Sequence, residues 1–438
     1  MQITAYGSAG EVTGSNIHLV TDSGTNCLID FGLFQGSPSI EAANRLPLGF
    51  DPSEIDFVVL THAHIDHSGR LPVLVKHGFQ GPIYMTYPTR DLVEALLLDS
   101  AEIQLEESDP LYDAEDVWQT LALTYPLGYN DPIDHGEIEL SFHQSGHLLG
   151  SAFVKLKADG KTITFSGDVG RYRNQYYPDP APIGPTDVLI SESTYGNSNH
   201  RKKVDAFNEL LETVLDKFKQ GRTIIIPAFS VGRTTEILHG LRQLADQTGR
   251  LNELDRIPVY LDSPLGIRAL EIYLQRRDYL AAAFHEKYLS GPNVHLLQDP
   301  GESHALDNKT HPKLIISSGG MAQGGHILHH LEAFLPQENT SIIFVGYQAE
   351  ETIGRAILEG RDVVIADRQI EVKAEIIPIS GFSGHGDQSD LSEWIATSTV
   401  KQILLSHGEP DVIHDWQNHL IDQGYQVNIL HKGVPVTV

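Results

Sequence analysis

Apolar positions in the first 60 residues come in short alternating or continuous runs: Ile17-His18-Leu19-Val20, Asn26-Cys27-Leu28-Ile29-Asp30 and Phe57-Val58-Val59-Leu60. Runs this short, set off by Gly7-Ser8-Ala9-Gly10 and Thr13-Gly14-Ser15-Asn16, predict strands joined by glycine turns. No helix follows those glycines, so they form no dinucleotide fingerprint. Further on, the pattern predicts a short helix over 71–77, a strand at Pro82–Thr86 and a helix over 89–106 with Leu92, Val93, Leu96, Leu97 and Ile103 near one face. From about 200 to 375 the rhythm changes to repeated strand–loop–helix units. A helix over 204–219 is stopped by Gly221, and strands at Thr223–Ile226, Val259–Leu261, Leu314–Ser317 and Ser341–Val345 each run into a loop. That alternation predicts a parallel sheet with helices packed against it and its loops gathered at the strands' C-terminal edge. The last 60 residues return to the earlier style, so the middle block reads as an insertion: 1–195 and 376–438 form one split domain, and 196–375 form the other.

With 438 residues, 40% hydrophobic and 20% charged, the chain has the composition of a globular protein with a large core. No apolar run approaches the roughly 18–20 residues that span a bilayer, and Met1–Gly7 reads as a first strand rather than a leader. A cytoplasmic protein without membrane partners is the expectation. The formal charge of -27 argues against a surface that coats nucleic acid, though a site can be locally positive. The lone Cys27 excludes an internal disulfide and a cysteine metal cluster. Between 106 and 116, Glu106, Glu107, Asp109, Asp113, Glu115 and Asp116 read as a solvated acidic face.

The chemistry concentrates in His62-Ala63-His64-Ile65-Asp66-His67, directly after a strand. Three imidazoles and a carboxylate in six residues are not expected in an apolar core. On an extended turn His62 and His64 point the same way and can grip one ion, while Asp66 and His67, past the bend, can grip a second. Zinc suits such ligands, with manganese or iron as alternatives. A two-metal site needs another histidine and a bridging carboxylate. His147, in the turn Ser145-Gly146-His147-Leu148-Leu149-Gly150, and Asp168, in Ser166-Gly167-Asp168, offer them. Asp30 ends a strand as either a cap or a carboxylate that orients a metal-bound histidine. Glu192 ends another apolar strand and is a candidate orienter of a histidine. His385 and His407 each follow a strand, beside glycine. In the inserted block, glycine-rich loops leading into helices can offer backbone N–H groups to phosphates, with Ser230, Arg233, Ser317, Ser318 and Arg355 adding side chains.

In this order the residues resemble a known family. His62-x-His64-x-Asp66-His67, His147 and Asp168, with Asp30 ahead of them, resemble the ordered motifs of the metallo-β-lactamase fold. Glu192-Ser193-Thr194-Tyr195-Gly196, His385 and His407 resemble motifs A, B and C of the β-CASP nucleases, in particular prokaryotic relatives of the nuclease subunit of the cleavage and polyadenylation machinery. The resemblance runs essentially end to end. It implies an αββα sandwich split by a β-CASP α/β domain with a mainly parallel sheet, and two zinc ions. His62, His64, His147 and Asp168 would hold one ion, and Asp66, His67, Asp168 and His407 the other, with Asp30 behind them. Asp66, His385 and Glu192 would be catalytic, His385 being the general acid that Glu192 orients. The histidine at position 407 is the mark of RNA-directed members. Ser317–His326 and Gly346–Arg355 resemble the phosphate-contacting loops, with Gly320, Met321, Gly324 and Gly325 among the RNA-binding positions. Three departures fall in those loops: Gly319 for serine, His326 for arginine and Glu351 for glycine.

The activity implied is hydrolysis of single-stranded RNA, by endonuclease or 5′-exonuclease action, with a homodimer allowed. Two other readings compete: a non-catalytic RNA-binding scaffold of the same family, and a small-molecule ester, thioester or lactone hydrolase on the same fold.

Overall fold

The computed structural model describes residues 1–105 and 108–438. The last residue of the helix expected over 89–106, and the acidic pair Glu106 and Glu107, lie outside them. The chain divides into two compact units, one of Met1–Asn199, Asp278–Ala282 and Gly384–Val438, the other of His200–Arg277 and Ala283–Ser383. The second unit ends later than the expected residue 375 because strand Glu375–Pro378 pairs in parallel with Thr340–Phe344 of its sheet.

The first unit holds two seven-stranded sheets. Inward side chains of both, including Ile3, Leu19, Ile29 and Val59 from one and Leu140, Val154, Phe165, Ile190 and Leu404 from the other, form one buried cluster between them. Alternation explains this arrangement, since residues two apart share a face and each sheet sends one face inward. Helices Gln388–Ile395 and Pro410–Asp422 bury Leu391, Trp394, Ile413 and Trp416 against the outer face of the second sheet. Helix Tyr87–Gln104, capped by Thr86, follows strand Ile83–Thr86 and packs on it. Strand Gln402–Leu405 enters the second sheet in parallel beside Val188–Ser191, its neighbour in space though far from it in sequence.

The second unit is built on a six-stranded sheet in the order Val294–Leu297, Val259–Asp262, Lys313–Ser318, Thr223–Ala228, Thr340–Phe344, Glu375–Pro378. Every pairing is parallel. Its central strands are buried on both faces, which is why they read as continuous apolar runs.

The described acidic residues Asp109, Asp113 and Glu115 are exposed, as expected of a solvated face, and the stretch also contains a helix start. Asp113 accepts from the backbone N–H groups of Glu115 and Asp116 and caps helix Ala114–Ala122 in a capping box. Asp109 pairs with Arg45 at 2.9 Å. No helix among the described residues is long and apolar enough to cross a membrane.

Candidate metal centre and active site

All the candidate ligands sit where strands of the first unit end. His62 and His64 follow strand Phe57–Val59, and Ile65–Ser68 then forms a helical turn that carries Asp66 and His67. The turn is therefore only half extended. It is also part of the interior, with His62 and His67 at 0% and 1% exposure. His147 lies between Gly146 and Gly150, both at positive φ. Asp168 follows Gly167, where φ is +52° and an added Cβ would stand 2.7 Å from Thr61 Cβ, so only glycine brings the chain this close. Glu192 ends strand Val188–Ser191, and His407 follows Gln402–Leu405 with φ +50°.

Two groups of donors meet at Asp168. His64 Nδ1 stands 3.1 Å from both His62 Nε2 and His147 Nε2. Asp168 Oδ2 is 3.4 Å from His62 and 3.5 Å from His147. On the other side, His67 Nε2 lies 3.4 Å from Asp168 Oδ1 and 3.7 Å from Asp66 Oδ2. His407 Nε2 lies 3.6 Å from that same Asp66 oxygen. Each Asp168 oxygen thus serves one group. Tetrahedral zinc ligands at 2.0–2.1 Å from the metal stand about 3.3 Å apart, which is close to these separations. His67 Nε2, His407 Nε2 and Asp168 Oδ1 are buried without a hydrogen-bond partner, a costly state for polar atoms unless a cation meets them. The residues present fit divalent ions.

Neighbouring side chains fix which nitrogen faces inward. Asp30, in the left-handed region at φ +62°, accepts from the backbone N–H and hydroxyl of Thr61 and from His67 Nδ1 at 2.7 Å. Thr61 Oγ1 in turn lies 3.1 Å from His62 Nδ1, and Thr194 Oγ1 lies 3.1 Å from His407 Nδ1. With Nδ1 so engaged, Nε2 of all three histidines turns to the centre. Asp30 thus meets His67 as an orienting carboxylate would, and the two threonine hydroxyls were missed by sequence reasoning. Their one signal was a hydroxyl beside, or two residues from, a motif position. Burial first, then nearby imidazoles, lower His64 to about 3 and keep His62 and His147 below the ordinary histidine range, so their lone pairs stay available. Burial would raise Asp168, but His67, His407 and His385 outweigh it and hold the carboxylate ionised.

His385 stands beside this centre. Its Nδ1 is 3.1 Å from Glu192 Oε2, and its Nε2 is 3.8 Å from Asp168 Oδ2. Glu192, 1% exposed, also accepts the Val169 N–H at 2.6 Å. Burial pulls the imidazole down, but Glu192 and Asp168 prevail and raise it to about 9.

The expected phosphate-binding residues lie at the C-terminal edge of the second unit's sheet. Ser317 is buried, its hydroxyl without a partner, and the Ser318 hydroxyl accepts from the His326 N–H at 3.4 Å. Gly320 accepts from the Gln348 side chain at 2.8 Å, and Met321, Gly324 and Gly325 continue the same loop. Ser230 is half-buried in the loop ahead of helix Arg233–Gln247. Both arginines are engaged on their own helices, Arg233 at 3.2 Å from Glu236 and Arg355 at 2.6 Å from Glu359. Gly319 has a physical reason: at φ +112°, an added Cβ would stand 2.2 Å from Gly324 O. Glu351 takes φ +65°, a conformation glycine adopts more easily.

Comparison with known proteins matches residues 10–213 to the metallo-beta-lactamase superfamily, 234–357 to the Beta-Casp domain, and 369–430 to the Zn-dependent metallo-hydrolase RNA specificity domain. The chain is 36% identical to Ribonuclease TTHA0252 of Thermus thermophilus over the whole of both chains. It is 32% identical to Transcription termination factor FttA of Methanosarcina mazei, over 93% of this chain and 67% of that protein. A crystal structure of a protein of unknown function from Enterococcus faecalis V583 shares the fold, with a TM-score of 0.59 at 15% identity, covering 100% of this chain and 99% of that one.

Proposed function

The chain belongs to the metallo-β-lactamase superfamily, in the branch that carries a Beta-Casp domain, and we propose that it is a metal-dependent ribonuclease acting in RNA processing, decay or transcription termination. The observation that carries this reading is the Glu192–His385 pair beside the bridging carboxylate. A metal hydrolase acting on an activated ester has little need of a dedicated acid, whereas an RNA phosphodiester has a poor leaving oxygen that must be protonated. The stretch matched to an RNA specificity domain contains both His385 and His407.

His62, His64, His147 and Asp168 would hold one divalent ion, and Asp66, His67, His407 and Asp168 a second, zinc being the expected metal. Ions held there bring the pKa of water toward neutrality and neutralise phosphoryl oxygens. The side chains do the rest. Asp30, Thr61 and Thr194 keep Nε2 of their histidines on the centre. Asp66, 22% exposed, borders the space open to substrate. His385 gives its Nε2 proton to the leaving oxygen, while Glu192 accepts from Nδ1 and fixes the tautomer. The glycine-rich loops of the second unit offer backbone N–H groups to RNA phosphates.

The test is His385→Ala. Turnover on single-stranded RNA falls by about 10²–10⁴-fold while metal content stays at the wild-type level. Unchanged turnover removes His385 from the mechanism. Hydrolysis of small esters by a wild-type protein that leaves RNA intact overturns the reading. Circular RNA settles the mode, since only an endonuclease opens it.

A further inference from the structure

The second unit contains its own cluster of histidine and aspartate. Asp262 ends strand Val259–Asp262. Ser303, His304 and Asp307 lie on helix Pro300–Asp307, and His329 and His330 on helix Ile327–Phe334, with His326 directly before it. Asp262 and His330 are fully buried.

Asp307 sets the arrangement. Its two oxygens lie 2.7 Å from His329 Nδ1 and 2.5 Å from His330 Nδ1. An ionised carboxylate only accepts, so both Nδ1 atoms carry hydrogen, and each ring when neutral presents a lone pair at Nε2. Those Nε2 atoms face one oxygen, Asp262 Oδ2, at 2.7 Å from His330 and 3.9 Å from His329. Three acceptors therefore converge in a buried place. Ser303 has a single hydroxyl proton to divide between Asp262 and His329 Nε2, both within its reach. A second proton, on His330, or a cation must fill the gap. The same device operates in the first unit, where Asp30 grips His67 Nδ1 at 2.7 Å and turns Nε2 toward Asp66 and Asp168. Here one carboxylate does it for two adjacent histidines.

We propose that Asp262 Oδ2, His329 Nε2 and His330 Nε2 form a separate site for one divalent transition metal, held in place by Asp307. Two imidazoles and a carboxylate favour zinc, cobalt or nickel over magnesium or calcium. Zinc ligands stand about 3.3 Å apart, so the His330–Asp262 contact opens by about 0.6 Å as the ion enters. The His330 proton leaves to solvent, and the Ser303 hydroxyl turns to a ligand-free acceptor or to water. His326 keeps its 3.0 Å contact with the other oxygen of Asp262. His304, exposed and with its ring 4.3 Å from that of His329, stands at the rim and marks the path of entry.

The test counts metal. Full-length wild type, His329→Gln and Asp262→Asn proteins are loaded with zinc, freed of excess ion by gel filtration, and assayed by mass spectrometry, with circular dichroism to confirm folding. Each variant is expected to hold about one zinc fewer than wild type, a difference independent of how many ions the first unit binds. His329 lies at the edge of the cluster, 19% exposed, so its glutamine variant keeps the fold if the Asp262 variant does not. A second measurement uses cobalt. In Asp168→Asn protein, whose first-unit centre is broken, a visible cobalt band should remain and vanish when His329→Gln is added. Folded His329→Gln protein with wild-type zinc content, or Asp168→Asn protein without a cobalt band, overturns the proposal and leaves a proton as the only occupant.

Discussion

The two units hold clusters of the same residue types in opposite states. Around Asp168, ring nitrogens and carboxylate oxygens stand 3.1–3.8 Å apart, and several are buried with no partner. Around Asp262 and Asp307 the closest imidazole–carboxylate contacts are 2.5–2.7 Å, and no ring nitrogen of His329 or His330 lacks a partner. The first spacing already leaves room for an ion, whereas the second is closed on a proton and must open to admit one. Histidine and aspartate content alone would not separate them. What separates them is the distance at which acceptors face each other, together with whatever supplies the missing positive charge.

The sharpest way to break the contrast is Asp168→Asn. It removes the one carboxylate shared by both donor groups, so RNA cleavage should fall to background and first-unit metal content should drop. Retained cleavage would deny Asp168 its bridging place. Asp307→Asn does the corresponding damage in the second unit, where it takes the anionic partner from the Nδ1 atoms of His329 and the buried His330. Unfolding in denaturant should show a loss of about 3 kcal/mol in metal-free protein. That variant also carries a pH signature. Burial lowers His330, but its bonds to Asp262 and Asp307 raise it above its ordinary value. Its contribution to stability is therefore complete below about pH 6.5 and fades as pH climbs through the folded value. In Asp307→Asn this alkaline fading should weaken, and an unaltered fading would assign it to another group.

Smaller effects refine the first cluster. Asp30→Asn leaves every ligand present but loosens His67, so metal affinity or activity should fall about 10–100-fold. A metal titration that matches wild type would reduce Asp30 to a strand cap. Smallest is Glu192→Gln. A general acid works below its pKa and is lost as pH rises through it. Burial lowers His385 while Glu192 is the leading influence raising it, so the variant's alkaline limb should move to lower pH. An unmoved limb in the pH–rate profile would detach Glu192 from His385.

Most of the first cluster was legible because its ligands sit at strand ends beside glycine, where a polar residue has few structural reasons to be. His147 between two glycines and Asp168 after Gly167 stand out in that way. The helical turn under Asp66 and His67 was not legible, since four residues carry too little periodicity. The supporting hydroxyls of Thr61 and Thr194 resemble any strand-end threonine until their partners are seen. The second cluster hid for a different reason. Asp262 reads as an ordinary strand end, Asp307 belongs to a helix of eight residues that the pattern did not reveal, and adjacent His329 and His330 suggest no shared target. Only the packing of two short helices over one sheet edge brings them together. The parallel sheet of the second unit was plain throughout, because strands buried on both faces have no polar alternation to blur them.

Strand Gln402–Leu405 seats against Val188–Ser191 only after the whole second unit has been made. On a ribosome adding about 5–20 residues per second, the roughly 200 residues between those strands take on the order of 10–40 s. For most of that interval the nascent chain carries His62, His64, Asp66, His67, His147 and Asp168 without His385, and throughout it without His407. An ion captured early would meet an incomplete set of the proposed donors and lack the proposed proton donor, so hydrolytic competence would arrive with the last tenth of translation. With the roles proposed for His385 and His407, the order of synthesis would itself keep an unfinished nuclease from cutting the message that encodes it.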